Sequence, residues 1–152
     1  DRDMAGKLTS SRDKERLSNI VRGARNYAGD DAKIATIGWC FGGGWSLRST
    51  LLLENQAVGG VIYYGAAPIN EIQKMPKIQT NILGVFAEKD QHITLEYANK
   101  LKDFVEKSGK KMTLHTFDAD HAFANPSSPR YVEDAAQNAN KLALTFLKER
   151  LQ

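Results

Sequence analysis

Apolar residues recur along this chain with two alternating periods. In residues 11–28, Leu17, Ile20, Val21, Ala24 and Ala28 stand three or four apart, the spacing of one helix face. Ser10 or Ser11 is placed to cap its start, with Glu15 in the first turn. Residues 33–39 are instead almost continuously apolar, as a strand buried on both faces of a parallel sheet would be. A helical segment follows over 43–54, with Leu47, Leu51 and Leu52 on one side, and then a second strand over 58–64. Gly65-Ala66-Ala67-Pro68 stops that strand, Met75-Pro76 marks a loop, and residues 81–87 read as a third strand. Leu95, Ala98, Leu101 and Val105 define a helix over 95–107, which Gly109 ends. Residues 111–117 alternate, as a half-buried or edge strand does, and a last helix spans about 131–151.

The order α-β-α-β-(α)-β-α-β-α predicts an α/β fold, with about four parallel strands covered by helices on both faces. In such sheets reactive groups gather beyond the carboxyl ends of the strands. Three of the four ends carry chemistry: Cys40, Asp90 and the loop of residues 118–121. At 152 residues the chain is expected to form a single domain, 1–152, with a real core. Its 41% hydrophobic and 26% charged residues are those of an ordinary water-soluble protein. A net charge of +3, scattered along the chain, argues against a nucleic-acid partner, and no apolar run is long enough to span a membrane. Residues 1–7 lack the apolar core of a signal peptide. One cysteine excludes an internal disulfide and suits a reducing compartment, so a cytoplasmic location is expected.

Gly38-Trp39-Cys40-Phe41-Gly42 joins the first strand to a helix with that cysteine at the apex. A sharp strand-to-helix turn strains the apex residue and lifts its side chain off the sheet. Residues two before and two after it must be tiny, a demand Gly38 and Gly42 meet. The turn also aims the Phe41 backbone N–H at whatever the sulfur attacks, half of an oxyanion hole, while the helix start favours a thiolate. A lone buried structural cysteine is the blander reading.

A thiol nucleophile needs a base, and the base needs a carboxylate to hold its tautomer. His115 lies within a strand and His92 close behind Asp90, which leaves His121, on a loop that can reach across strand ends, as the favoured base. Asp90 ends the third strand and is the natural carboxylate; Glu88, Asp118 and Asp120 compete, and Asp90 as a cap of the next helix is the bland alternative. The order Cys, Asp, His is that of α/β-hydrolases.

With these pieces in place the sequence resembles the dienelactone hydrolase family of α/β-hydrolases. The resemblance rests on residues 38–43, Tyr63-Tyr64-Gly65, the turn 88–90, and His121-Ala122-Phe123 followed by Asn125-Pro126 and Tyr131, and it runs from about Lys33 to the end of the chain. It implies Cys40 as nucleophile, His121 as base and Asp90 as its orienting acid, hydrolysing a small ester or lactone through a thioester, with no metal or organic cofactor. Trp39, Tyr64, Asn125 and Arg130 are candidates for the substrate pocket, the two aromatics serving equally well as packing.

The resemblance also implies departures. The family's fold has further strands ahead of this chain's first helix, including the loop with the second oxyanion donor, a glutamate at the resting thiol and an arginine for the substrate carboxylate. The fold expected here is accordingly a truncated one, either a fragment or a short relative whose open sheet edge is covered by a second copy or another chain. Four residues after the histidine the family's type enzyme has a substrate-binding arginine; here Asn125 stands there, with Arg130 nearby as a substitute. Two rival readings remain: an amidotransferase-like cysteine enzyme, and a hydrolase-like domain serving binding or assembly.

Overall fold

The computed structural model describes residues 3–4 and 13–152. Helix α1 (Lys14–Ala28) starts at Asp13, whose side chain accepts a hydrogen bond from the Glu15 N–H; Ser10, Ser11 and residues 1, 2 and 5–7 lie outside the described part. Strand β1 (Ile34–Trp39) leads straight into α2 (Phe41–Leu53), so this helix begins two residues earlier than its apolar spacing predicts, directly after the cysteine. A 3₁₀ turn (Glu54–Gln56), β2 (Ala57–Tyr63), a single-turn helix α3 (Ile69–Ile72) and β3 (Ile82–Ala87) follow. Then come α4 (Leu95–Lys107), with its predicted bounds, β4 (Met112–Phe117) and α5 (Glu133–Leu151).

The four strands are parallel and lie in chain order, β1-β2-β3-β4. Neighbours in chain order joined by crossovers of one hand put every intervening helix on the same face. One core accordingly packs Leu47 and Leu51 of α2 and Leu101 and Val105 of α4 against Ile62, Ile82 and Phe86. After β4 the chain crosses to the other face, where Ala139 and Ala143 of α5 meet Val61, Tyr63, Leu83 and Val85. Helices on both faces are thus as the pattern predicts, with α2, α3 and α4 on one side of the sheet, α5 on the other, and α1 packed against α2. Each fully buried Leu, Ile or Val contributes roughly 1.5–3 kcal/mol, so the two layers hold β2 and β3 rigidly between them.

β1 departs from its expected burial. Its apolar run predicts a strand covered on both faces, but among the described residues it pairs only with β2, and Ile37 and Trp39 remain 41% and 46% exposed. Helix α1 packs against α2 rather than over this strand, with Leu17 and Val21 half-buried and Ile20 exposed. The junction is tied instead by Gln56, which accepts from Arg25 and donates to the carbonyls of Gly29 and Ala32. Among the described residues no helix is long and apolar enough to cross a membrane.

Candidate active site

Cys40 sits at the turn between β1 and α2 with φ 53° and ψ −119°, outside the regions L-residues favour. The turn is held by the Cys40 N–H, which donates to the Tyr63 carbonyl at 2.9 Å, and by the Cys40 carbonyl, which accepts from Gly43 N–H at 3.0 Å. A Cβ at Gly38 would fall 2.0 Å from the Gly42 carbonyl oxygen, so that glycine is obligatory. Gly42 is not: a Cβ there meets nothing within 4 Å. Two further close approaches join α2 to the loop after β2: a Cβ at Gly44 would fall 2.1 Å from the Ala66 carbonyl oxygen, and one at Gly65 would fall 2.6 Å from both the Cys40 carbonyl and the Gly43 backbone. The tightness on the helix side of the cysteine therefore falls at Gly44 rather than Gly42, because the loop after β2 packs under the elbow there.

Asp90, just beyond β3, has its side chain wholly buried. Its Oδ1 accepts from the N–H groups of His92 and Ile93, each at 2.9 Å, and its Oδ2 lies 2.6 Å from His121 Nδ1. One oxygen builds the turn and the other holds the histidine. Capping of α4 falls to Thr94, whose hydroxyl accepts from Tyr97 N–H, so Asp90 is not that helix's cap. Burial pushes the Asp90 carboxyl upward, but the Ile93 N–H, His121 and the His92 N–H outweigh it and hold the group below its usual range.

His121 completes the chain: its Nε2 lies 3.1 Å from Cys40 Sγ. The loop after β4 brings it back over the strand ends, with Ala122 at φ 67°. The alternatives are engaged elsewhere. His92 is exposed, and His115 lines a cleft between β4 and α5 with Phe117 and Phe146. Glu88 accepts from the Thr116 hydroxyl, and Asp118 pairs with Lys89.

The pocket candidates divide. Trp39, its ring 5.2 Å from that of Tyr63, lines a cavity of about 240 Å³ with Tyr63, Tyr131, Gln137 and Asn140. Gln137 and Asn140 were not foreseen; they stand three apart on α5, one helix face, a spacing that marks them only once α5 is known to pass the strand ends. Tyr64 does not line it: the ring is 1% exposed and lies under His121. Burial pushes the hydroxyls of Tyr63 and Tyr64 up to about 12, so both are neutral phenols. The Asn125 side chain is spent within its loop, accepting from Ser127 N–H at 3.0 Å, and Arg130 is exposed on that loop outside the cavity. Phe41 opens α2, its ring 43% exposed and 6.3 Å from Trp45. A larger cavity, about 620 Å³, lies between α3 and α4, away from the strand ends. Among the described residues no group of three or more His, Cys, Asp or Glu side chains is arranged to hold a metal ion.

Comparison with known proteins converges on one family. The model of the dienelactone hydrolase family matches residues 1–151, which carries the likeness through α1 as well. A carboxymethylenebutenolidase of Pseudomonas sp. (strain P51) is 30% identical over 78% of this chain and 48% of its own length. Carboxymethylenebutenolidase 1 of Cupriavidus pinatubonensis is 27% identical over 86% and 55%. The chain thus spans about half the length of these curated relatives. Among solved structures, a dienelactone hydrolase-like promiscuous phosphotriesterase from metagenomic libraries superposes with a TM-score of 0.73 at 19% identity, over 91% of this chain and 63% of that one, a likeness of fold.

Proposed function

The chain belongs to the dienelactone hydrolase family, and on that premise we propose that it hydrolyses small esters or lactones with Cys40 as nucleophile, His121 as base and Asp90 as the group that orients the base. The observation that carries this reading is the unbroken contact from Cys40 Sγ through His121, 3.1 Å on one side, to Asp90, 2.6 Å on the other. A carboxylate at Nδ1 accepts that nitrogen's proton in a hydrogen bond, which leaves the Nε2 lone pair facing the thiol. His121 takes the S–H proton as sulfur attacks the carbonyl carbon. The oxyanion that forms meets the N–H groups at the start of α2, Phe41 first, where the helix dipole favours negative charge. Collapse breaks the ester C–O bond, and His121 returns its proton to the departing oxygen. Water then attacks the thioester with His121 again as base, and release of the acid restores the thiol.

Turnover of p-nitrophenyl acetate by this chain and by Cys40→Ala tests the proposal. Release of p-nitrophenol that disappears in the variant is expected; release that survives it would remove Cys40 from the reaction. A second reading, a hydrolase-like domain used for assembly, is supported by the apolar edge that Ile37 and Trp39 present on β1. It predicts self-association of the 16.9 kDa chain without Cys40-dependent turnover.

A further inference from the structure

Four non-glycine residues among those described have positive φ: Cys40, Glu54, Tyr64 and Ala122. Glu54 ends α2, while the other three surround the Cys40–His121 contact. The strain at Cys40 belongs to the elbow, and Ala122 directly follows the histidine. Tyr64, at φ 35°, has no such explanation, and an aromatic residue in that region is a genuine outlier that asks for a function. Its backbone stays tied to the sheet, the N–H donating to the Val85 carbonyl at 2.7 Å. The twist turns the ring beneath the loop after β4. There it stands edge-on to His121, centroids 5.1 Å apart, and to Phe123 at 5.4 Å. One side chain thus touches the loop at 121 and 123, on both sides of strained Ala122.

The hydrogen bond to Asp90 fixes one atom of the imidazole and leaves the ring free to swing about that contact. A second contact, edge to ring, removes the swing and keeps Nε2 on the sulfur. We propose that Tyr64 is a positioning residue for His121, its ring stopping rotation of the imidazole and packing against Phe123 in the loop that carries it. The proposal rests on the triad reading above and adds a residue to it.

The test compares Tyr64→Phe, which keeps the ring, with Tyr64→Leu, which does not. Misplacing a reacting group by about 1 Å costs on the order of 100-fold in rate. Tyr64→Leu should therefore lose about that much kcat while KM stays within about twofold, and Tyr64→Phe should lose only a small part of it. The pH dependence of Cys40 alkylation by iodoacetamide reports the Cys40–His121 contact without turnover. It should move toward that of a free cysteine in Tyr64→Leu and be restored in Tyr64→Phe. Thermal unfolding in parallel identifies a variant that fails to fold, in which case Tyr64→Phe and Tyr64→Met carry the comparison. Unchanged kcat and an unchanged alkylation profile in folded Tyr64→Leu or Tyr64→Met, with Cys40→Ala inactive, would overturn the positioning role and leave the triad standing. Alkylation of the unmodified protein that already follows a free cysteine would overturn both.

Discussion

The two edges of the sheet are built differently. β4 interleaves Thr113, His115 and Thr116 with its apolar residues and fully buries only Met112, the composition of a strand meant to end a sheet. β1 carries Ile34, Ala35, Ile37 and Trp39 on an edge that pairs on one side only among the described residues. Between them β3 is buried along its whole length. The candidate site draws one residue from each region: Cys40 from the apolar edge, Asp90 from the rigid interior and His121 from the polar edge. His121 and Asp90 therefore rest on the well-packed half of the molecule, and the sulfur of Cys40 on the half with the least cover.

If both edges serve one reaction, damage from either side should cost the same. Cys40→Ala and His121→Ala are each expected to lower kcat on p-nitrophenyl acetate by at least about 10⁴-fold, and the double variant should be no worse than either, because members of a catalytic unit are not additive. Additive losses would separate the two edges functionally. Next in size is Asp90→Asn, expected to cost roughly 10³- to 10⁴-fold in kcat through loss of the histidine's tautomer.

The same variant has a pH signature in stability. The Asp90 carboxyl is held below its ordinary value of 3.8 in the folded protein, so its contribution is full above that value and is lost as pH falls through the lower, folded one. Urea midpoints measured from pH 6 downward should show a component of acid destabilisation that Asp90→Asn lacks; identical slopes would contradict the linkage.

Two smaller tests concern stability alone. Gly38→Ala drives a Cβ into the Gly42 carbonyl and should cost about 3–5 kcal/mol, whereas Gly42→Ala, with open space around it, should change stability by about 1 kcal/mol or less in urea titrations. Equal losses would mean that the elbow is not held by that contact. Across the sheet, Val85→Ala in β3 should cost about 2–3 kcal/mol against about 1 kcal/mol or less for Ile37→Ala in β1. An Ile37→Ala cost as large as that of Val85→Ala would show that the β1 edge is covered in solution, and a mass in solution above 16.9 kDa would identify a second copy as the cover.

Much of this architecture is legible residue by residue. Leu95, Ala98, Leu101 and Val105 mark α4 with its observed bounds, and Gly38 before Cys40 marks the elbow. Asp90 and His121 are legible as strand-end residues, because a parallel sheet collects its loops at one end. Helix α3 is too short to show a period, and only its bounding Pro68 and Met75-Pro76 hint at it. The surroundings of Asn125 and Tyr64 are not legible in sequence: Asn125 accepts from the backbone of Ser127, a partner that leaves no mark in residue identity, and Tyr64 meets His121 and Phe123 only through the fold.

By itself, then, the sequence determined which segments are helix or strand, their alternation, and the placing of Cys40, Asp90 and His121 at successive strand ends. These follow from periods of 3.6 and 2 and from glycine at a turn, all properties of neighbouring residues. Tertiary structure alone decided that β1 is the thinly covered edge, that Gly44 and Gly65 rather than Gly42 must be small, and that His121 spans from Asp90 to Cys40 with Tyr64 beneath it. Each of these depends on which strand lies beside which, and that is settled by packing two helical layers onto one sheet.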